Sequence, residues 1–157
     1  MARYYMAYGS NLNIGQMKYR CRDAQIVGTT ELHGYELLYK GSKTGAYLTI
    51  EEKEGGIVPI AVWKVSEADE RMLDVYEGFP DFYYKKEFKI AIRNTKGEKK
   101  KIKAFVYIMH EERELAVPHW TYVKCCKEGY THFQFDQKYL DEALHRSWEG
   151  AKENERE

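Results

Sequence analysis

Two places in this sequence bring together residue types that can do chemistry. The first is "YGSNL", Tyr8 to Leu12, which reads as a strand end running into a helix start. Such a junction presents backbone N–H groups with no internal acceptor, and the helix dipole adds partial positive charge. Gly9 allows a ligand to approach the backbone closely, while Ser10 and Asn11 add side-chain donors and acceptors. The result is a cradle for an anion, a carboxylate above all. The same residues also describe a tight turn at Gly9 followed by a helix cap at Ser10 or Asn11, and five residues alone favour that plainer reading.

The second place is "LDVYEGFPDFYYK", Leu73 to Lys85. Glu77 falls in the last turn of a short helix, where the negative end of the dipole opposes ionisation. Tyr76, Phe79, Phe82, Tyr83 and Tyr84 crowd it in sequence. If they crowd it in space as well, desolvation lifts the carboxyl pKa toward the value a general base needs near neutral pH. An exposed glutamate beside a helix stop is the commoner arrangement. Asp74, one turn earlier, is a rival carboxylate and reads as solvated.

Other chemistries find less support. Ser10 lacks the "GxSxG" elbow, and no histidine stands where it would serve as its base. His33, His110, His119, His132 and His145 follow no metal-ligand spacing. Cys125 and Cys126 read as helix packing residues, and "KGEKKKIK" (96–103) as the solvated face of a hairpin.

The elements that must position these residues are legible in part. Strand character covers residues 3–8, 34–40, 46–52, 57–65, 82–92 and 100–109, the last two flanking "NTKG" as a hairpin. Asn13 caps a helix, with Gln16 placed to reach back to the cap and Leu12 and Met17 as its staple. A second helix spans 67–77, with Ser66 and Asp69 as capping box, Ala68, Met72, Leu73 and Tyr76 as buried face, and Gly78 as stop. A third runs from Pro118 to a stop at Gly129. A fourth is capped by Asp136 and carries the stripe Tyr139, Leu140, Ala143, Leu144 and Trp148. Trp120, Phe133 and Phe135 read as core, with an interface as the other possibility.

Strand runs mixed with helices, without regular alternation, predict an α+β fold whose mixed or antiparallel sheet curls into a small barrel flanked by helices. A chain of 157 residues fits one domain: residues 1–148, followed by a charged, frayed tail at 149–157. Basic and acidic residues balance at 25 each, so no net field draws the protein to nucleic acid or to an anionic membrane. Three cysteines form no disulfide framework or zinc pattern, which points to a reducing compartment. With neither a signal-peptide pattern nor a spanning apolar run, the expectation is a cytoplasmic protein. The 14 tyrosines suit a core, a pocket lining or a homodimer interface.

Together, "YGSNL", "VWKV" leading into "LDVYEGFPDFYYK", "AFVYIM" (104–109) and "VPHWTY" (117–122) resemble the gamma-glutamylcyclotransferase family, from about Tyr5 to Leu144. The resemblance implies a small β-barrel flanked by helices, with a pocket at the barrel mouth for a gamma-glutamyl group and no cofactor or metal. In the implied reaction the substrate's α-amine attacks its own γ-carbonyl, forming 5-oxoproline and releasing an amine or amino acid. By position, Glu77 matches the catalytic glutamate, and Tyr8, Gly9, Ser10, Asn11 and Leu12 match the substrate-binding loop. Tyr83 matches the tyrosine of "EGxPxxY", with Tyr84 one register away; Tyr122 matches the tyrosine that completes the pocket, and Tyr107 is a further candidate. Lys85 stands where many relatives have arginine, and residues 40–56 carry no family feature.

Two other readings of the same motifs stay open. One is a non-catalytic module that binds gamma-glutamyl ends, although a binder has little use for a base of raised pKa. The other is the same chemistry on a larger gamma-glutamyl conjugate, with the leaving group received by residues 40–56 and 110–122.

Overall fold

Tyr5, Met6 and Ala7 are all buried, and the first strand, β1 (Arg3–Ala7), is paired on both sides within a closed sheet. The computed structural model describes residues 2–42 and 45–156; Met1, Lys43, Thr44 and Glu157, which fall within the domain, leaving-group and tail expectations, lie outside the described residues. After β1 come α1 (Ile14–Arg20), β2 (Gln25–Ser42), β3 (Gly45–Val65), α2 (Glu67–Glu77), β4 (Tyr83–Asn94), β5 (Lys99–Met109), α3 (Trp120–Phe133) and α4 (Lys138–Arg156). The five strands close into a barrel in the order β1-β3-β2-β4-β5, sealed by a parallel contact of Tyr4 with Ala104 and Tyr5 with Phe105. The α+β barrel expected from the pattern is therefore present. No helix among the described residues is long and apolar enough to cross a membrane.

The sheet departs from the sequence expectation in two respects. Residues 46–52 and 57–65 form a single strand, β3, and its partner β2 begins at Gln25 rather than at residue 34. Register shifts between Ile26 and Gly28 and between His33 and Tyr35 interrupt the pairing. Such bulges break the apolar alternation by which a strand is read. The join between β2 and β4 is narrow, with only Gly28 opposite Asn94 and Thr29 opposite Arg93. A Cβ on Gly28 would sit 2.3 Å from the Arg93 carbonyl oxygen, so closure here requires glycine.

The helices are anchored by local chemistry. Ser66 and Asp69 exchange both bonds of a capping box at the start of α2, and Gly78 ends it. The buried face differs from expectation. Leu73 and Asp69 are buried, whereas Ala68, Met72 and Tyr76 are exposed, because α2 is held to the barrel largely by ion pairs along its other side. Asn13 caps α1 by accepting from the Gln16 N–H at 3.3 Å, but Gln16 Oε1 finds no hydrogen-bond partner among the described residues.

Helix α3 starts at Trp120 with His119 as its cap, two residues after the Pro118 start. It runs through Gly129 to a left-handed stop at Gln134. Gly129 is small for another reason: a Cβ there would lie 2.6 Å from the Leu12 carbonyl carbon. Asp136 accepts the Lys138 N–H at 2.9 Å at the start of α4. Leu140, Ala143 and Ser147 are buried on this helix, while Trp148 is exposed, since Ser147 Oγ accepts the Tyr39 N–H of β2. The segment from Glu149, read as a frayed tail from its charge, continues α4 as helix to Arg156, with Gly150 pressed against Leu115. Trp120 is 65% exposed rather than core, whereas Phe133 and Phe135 pack against the core.

Candidate active site

β1 delivers the chain to the barrel mouth, where Tyr8 turns inward and donates its hydroxyl to the Tyr107 carbonyl at 2.7 Å. Gly9 then leads into a single 3-10 turn, Ser10–Leu12, closed by the Leu12 N–H on the Gly9 carbonyl at 3.0 Å. The N–H groups of Gly9, Ser10 and Asn11 find no acceptor among the described residues. Asn11 is held by two contacts: its Nδ2 donates to the Tyr5 hydroxyl at 2.9 Å, and its Oδ1 accepts from Arg20 Nη1 at 2.5 Å. Helix α3 braces this turn from behind at Gly129.

The opposite wall is the C-terminal end of α2. Glu77 is its last residue and Tyr76 precedes it, with the two tyrosine and serine hydroxyls of Tyr76 and Ser10 3.4 Å apart. Between the walls lies a cavity of about 330 Å³. Glu77, Tyr8, Gly9, Ser10, Asn11, Tyr83 and Tyr122 all line it, together with Tyr5, Tyr47, Leu48, Tyr76 and Tyr107. Leu12 does not: it is fully buried against Gly129 and supports the loop from beneath. Of the two candidate tyrosines, Tyr83 faces the cavity and donates to the Leu48 carbonyl at 2.8 Å, while Tyr84 points away and donates to Glu111 at 2.6 Å. Tyr122 accepts the Leu48 N–H at 3.1 Å, so both tyrosines lock the start of β3 to the pocket rim.

Glu77 is the group whose ionisation matters here. It is half-buried by area, yet the aromatic walls and the helix end leave its carboxyl poorly solvated, and burial pushes its pKa up to about 8. The Arg20 guanidinium is the opposing influence. Among the described residues, no hydrogen bond or ion pair holds the carboxyl, which leaves it available to a ligand's proton. Burial holds the phenols of Tyr5, Tyr8, Tyr83 and Tyr122 well above the usual tyrosine range, with the Glu77 charge adding to it for Tyr5 and Tyr8. These walls therefore stay neutral while Glu77 titrates.

Asp74 is not the solvated carboxylate its position suggests. Its Oδ1 accepts from the Tyr107 hydroxyl at 2.6 Å and pairs with Lys85 Nζ at 2.8 Å. Lys85 also meets Glu70 at 2.6 Å, so the ammonium clamps two turns of α2 onto β4. Cys125 sets its Sγ 3.9 Å from the Ser10 carbonyl, and burial pushes its thiol up, away from the reactive thiolate.

Arg20, Tyr5, Tyr47 and Tyr76 were not singled out as ligands by the sequence. Arg20 stands at the end of α1, and its guanidinium carbon lies 3.4 Å from the centroid of the Tyr76 ring. In the sequence Tyr76 stands out as a helix-face residue and as one of the aromatics around Glu77. A basic residue in the last turn of a helix is ordinary, so nothing local marks Arg20.

Comparison with known proteins places this geometry. No curated protein sequence matches the chain. Solved structures share its fold: a "Gamma-glutamyl cyclotransferase" superposes with a TM-score of 0.75 at 24% identity, over 91% of this chain and 86% of that one. An uncharacterised Homo sapiens protein gives 0.74 at 25% identity, over 90% and 86%. A yeast gamma-glutamyl cyclotransferase specific to glutathione gives 0.64 at 12% identity, over 94% and 96%. The sequence profile described as "Gamma-glutamyl cyclotransferase, AIG2-like" matches residues 5–125, which include the end of β1, the loop after it, α2, the other four strands and the start of α3. With the loop, Glu77 and the closed barrel all inside that match, the chain belongs to the AIG2-like gamma-glutamyl cyclotransferase family.

Proposed function

We propose that this protein is a gamma-glutamyl cyclotransferase that converts a gamma-glutamyl amino acid or amine into 5-oxoproline and the free amine. The observation that carries the reading is a carboxyl unpaired among the described residues, its pKa pushed up to about 8 by burial, facing loop N–H groups without an acceptor among those residues across one cavity. An α-ammonium is no nucleophile until it loses a proton, and the Glu77 carboxylate is the base available. The α-nitrogen then bonds to the γ-carbon, and the bond from that carbon to the leaving nitrogen breaks. Two protons pass in total from the α-nitrogen to the leaving nitrogen, and Glu77 relays them.

The N–H groups of Gly9, Ser10 and Asn11 suit a substrate oxygen, either the α-carboxylate or the oxyanion that develops at the γ-carbonyl. Nucleophile and carbonyl already share one chain, so holding that flexible glutamyl chain in the bent form that brings amine to carbonyl lowers the barrier by the entropy of the few bonds it freezes. The tyrosine walls keep that form dry. The test is 5-oxoproline release from a panel of gamma-glutamyl amino acids and amines, with wild type beside Glu77→Gln. Release by wild type alone supports the reading. A folded wild type that binds gamma-glutamyl compounds without turning them over would instead make it a binding module.

A further inference from the structure

A second concavity adjoins the pocket, between α1 and α2, walled by Gln16, Tyr19, Arg20, Met72, Val75 and Tyr76. Val75 and Tyr76 line both, so the groove abuts the cavity and begins one residue from Glu77. Its sides are apolar and open: Tyr19 is 90% exposed, Val75 78% and Met72 53%. Large apolar side chains gathered on the outside of two helices keep water-exposed area that folding does not use, and such a gathering marks a contact surface. At the junction stands Arg20. Its Nη1 is engaged by Asn11 and its plane lies on Tyr76, while Nε and Nη2 have no acceptor among the described residues.

We propose that this groove is the leaving-group subsite, and that the leaving group is an α-amino acid with a large apolar or aromatic side chain. The inference rests on the gamma-glutamyl reading above. A scissile amide held at Glu77 has Tyr76 beside it, and the atoms beyond the leaving nitrogen meet Arg20 and then the apolar trough. The free donors of Arg20 take the carboxylate of the leaving amino acid in planar, two-bond fashion. Its side chain crosses Tyr76 and covers Val75, Met72 and Tyr19. Adjacency to the pocket through two shared residues, and a cation with spare donors at the join, select this occupant.

The test compares kcat/KM for gamma-glutamylphenylalanine, gamma-glutamylalanine and gamma-glutamylphenethylamine, by 5-oxoproline release. The phenylalanine compound is expected to exceed the alanine compound about tenfold, since one ring leaves water, and to exceed the phenethylamine compound by a similar factor, since only it carries the carboxylate. In the double variant Tyr19→Ser, Met72→Ser the first ratio falls toward one. In Arg20→Gln, compared at a pH above the Glu77 midpoint so that the general base is ionised, the second ratio falls toward one; a second ratio unchanged from wild type overturns the assignment of Arg20 to the leaving group. Equal turnover of the phenylalanine and alanine compounds by wild type overturns the inference and leaves the proposed function standing. Absence of 5-oxoproline from all three overturns the proposed function itself. The wild-type comparison decides the matter even if a variant fails to fold.

Discussion

The guanidinium of Arg20 stacks on the ring of Tyr76, 3.4 Å from its centroid, one residue before the glutamate whose charge it favours. A cation is thus fixed near Glu77 without a direct ion pair between them. Direct pairing would pull the carboxyl far down and occupy it. Stacking on the neighbouring ring tempers the effect of burial and leaves the carboxyl free.

The pH dependence follows from that arrangement. Only the Glu77 carboxylate accepts a proton, so kcat/KM should rise about tenfold per pH unit below a midpoint near 8 and level off above it. Removing the cation in Arg20→Gln takes away the influence that lowers the pKa, so the midpoint should move up. A pH–rate profile of both proteins checks the direction.

Glu77→Gln should abolish turnover while leaving the fold intact. The folded pKa of Glu77 is raised above its unfolded value of 4.5, so the folded state holds the proton longer, and stability falls as pH rises from about 4.5 to about 8. The variant lacks this loss. Above pH 8 it should exceed wild type by roughly 2–4 kcal/mol, after discounting for water reaching a half-buried carboxyl. Denaturant melts at pH 5 and pH 9 measure the difference.

Lys85→Met should loosen α2. The ammonium meets Glu70 at 2.6 Å and Asp74 at 2.8 Å, and its removal leaves two partly buried carboxylates facing each other. A cost of about 1–3 kcal/mol is expected, and because Glu77 ends the same helix, kcat should fall with stability. A thermal melt beside steady-state kinetics reads both.

Gly129→Ala tests the brace behind the loop. An added Cβ would lie 2.6 Å from the Leu12 backbone, so either α3 or the loop must move. About 1–3 kcal/mol of destabilisation and a raised KM are expected. Tyr84→Phe, by contrast, removes only a rim hydroxyl bonded to Glu111 and should leave KM near wild type, while Tyr83→Phe frees the Leu48 carbonyl and should raise it.

What the sequence disclosed was whatever local chemistry decides. The Ser66–Asp69 box, the Gly78 stop and the Asn13 cap are spelled by residues within four positions of one another, and α2 begins and ends where they place it. Of the candidate site, Glu77, the loop, Tyr83 and Tyr122 meet around one cavity. Contacts made across the fold were silent. Asp74 reads as solvated because nothing near it in sequence announces Tyr107 and Lys85. Gly129 reads as a helix stop because the backbone it accommodates is that of Leu12, far away in the chain. The first half of β2 was hidden by bulges that cost the strand its alternation.

The seal between β1 and β5 pairs Tyr4 with Ala104 and Tyr5 with Phe105, residues about a hundred positions apart. Closing so long a loop costs chain entropy before any contact repays it, and such topologies fold slowly. Tyr8 and Tyr107, which follow that pairing toward the barrel mouth, hydrogen-bond only once the seal is made. A nascent chain therefore has no complete cavity until β5 is in place, and occupancy of that cavity by any ligand would report a finished barrel.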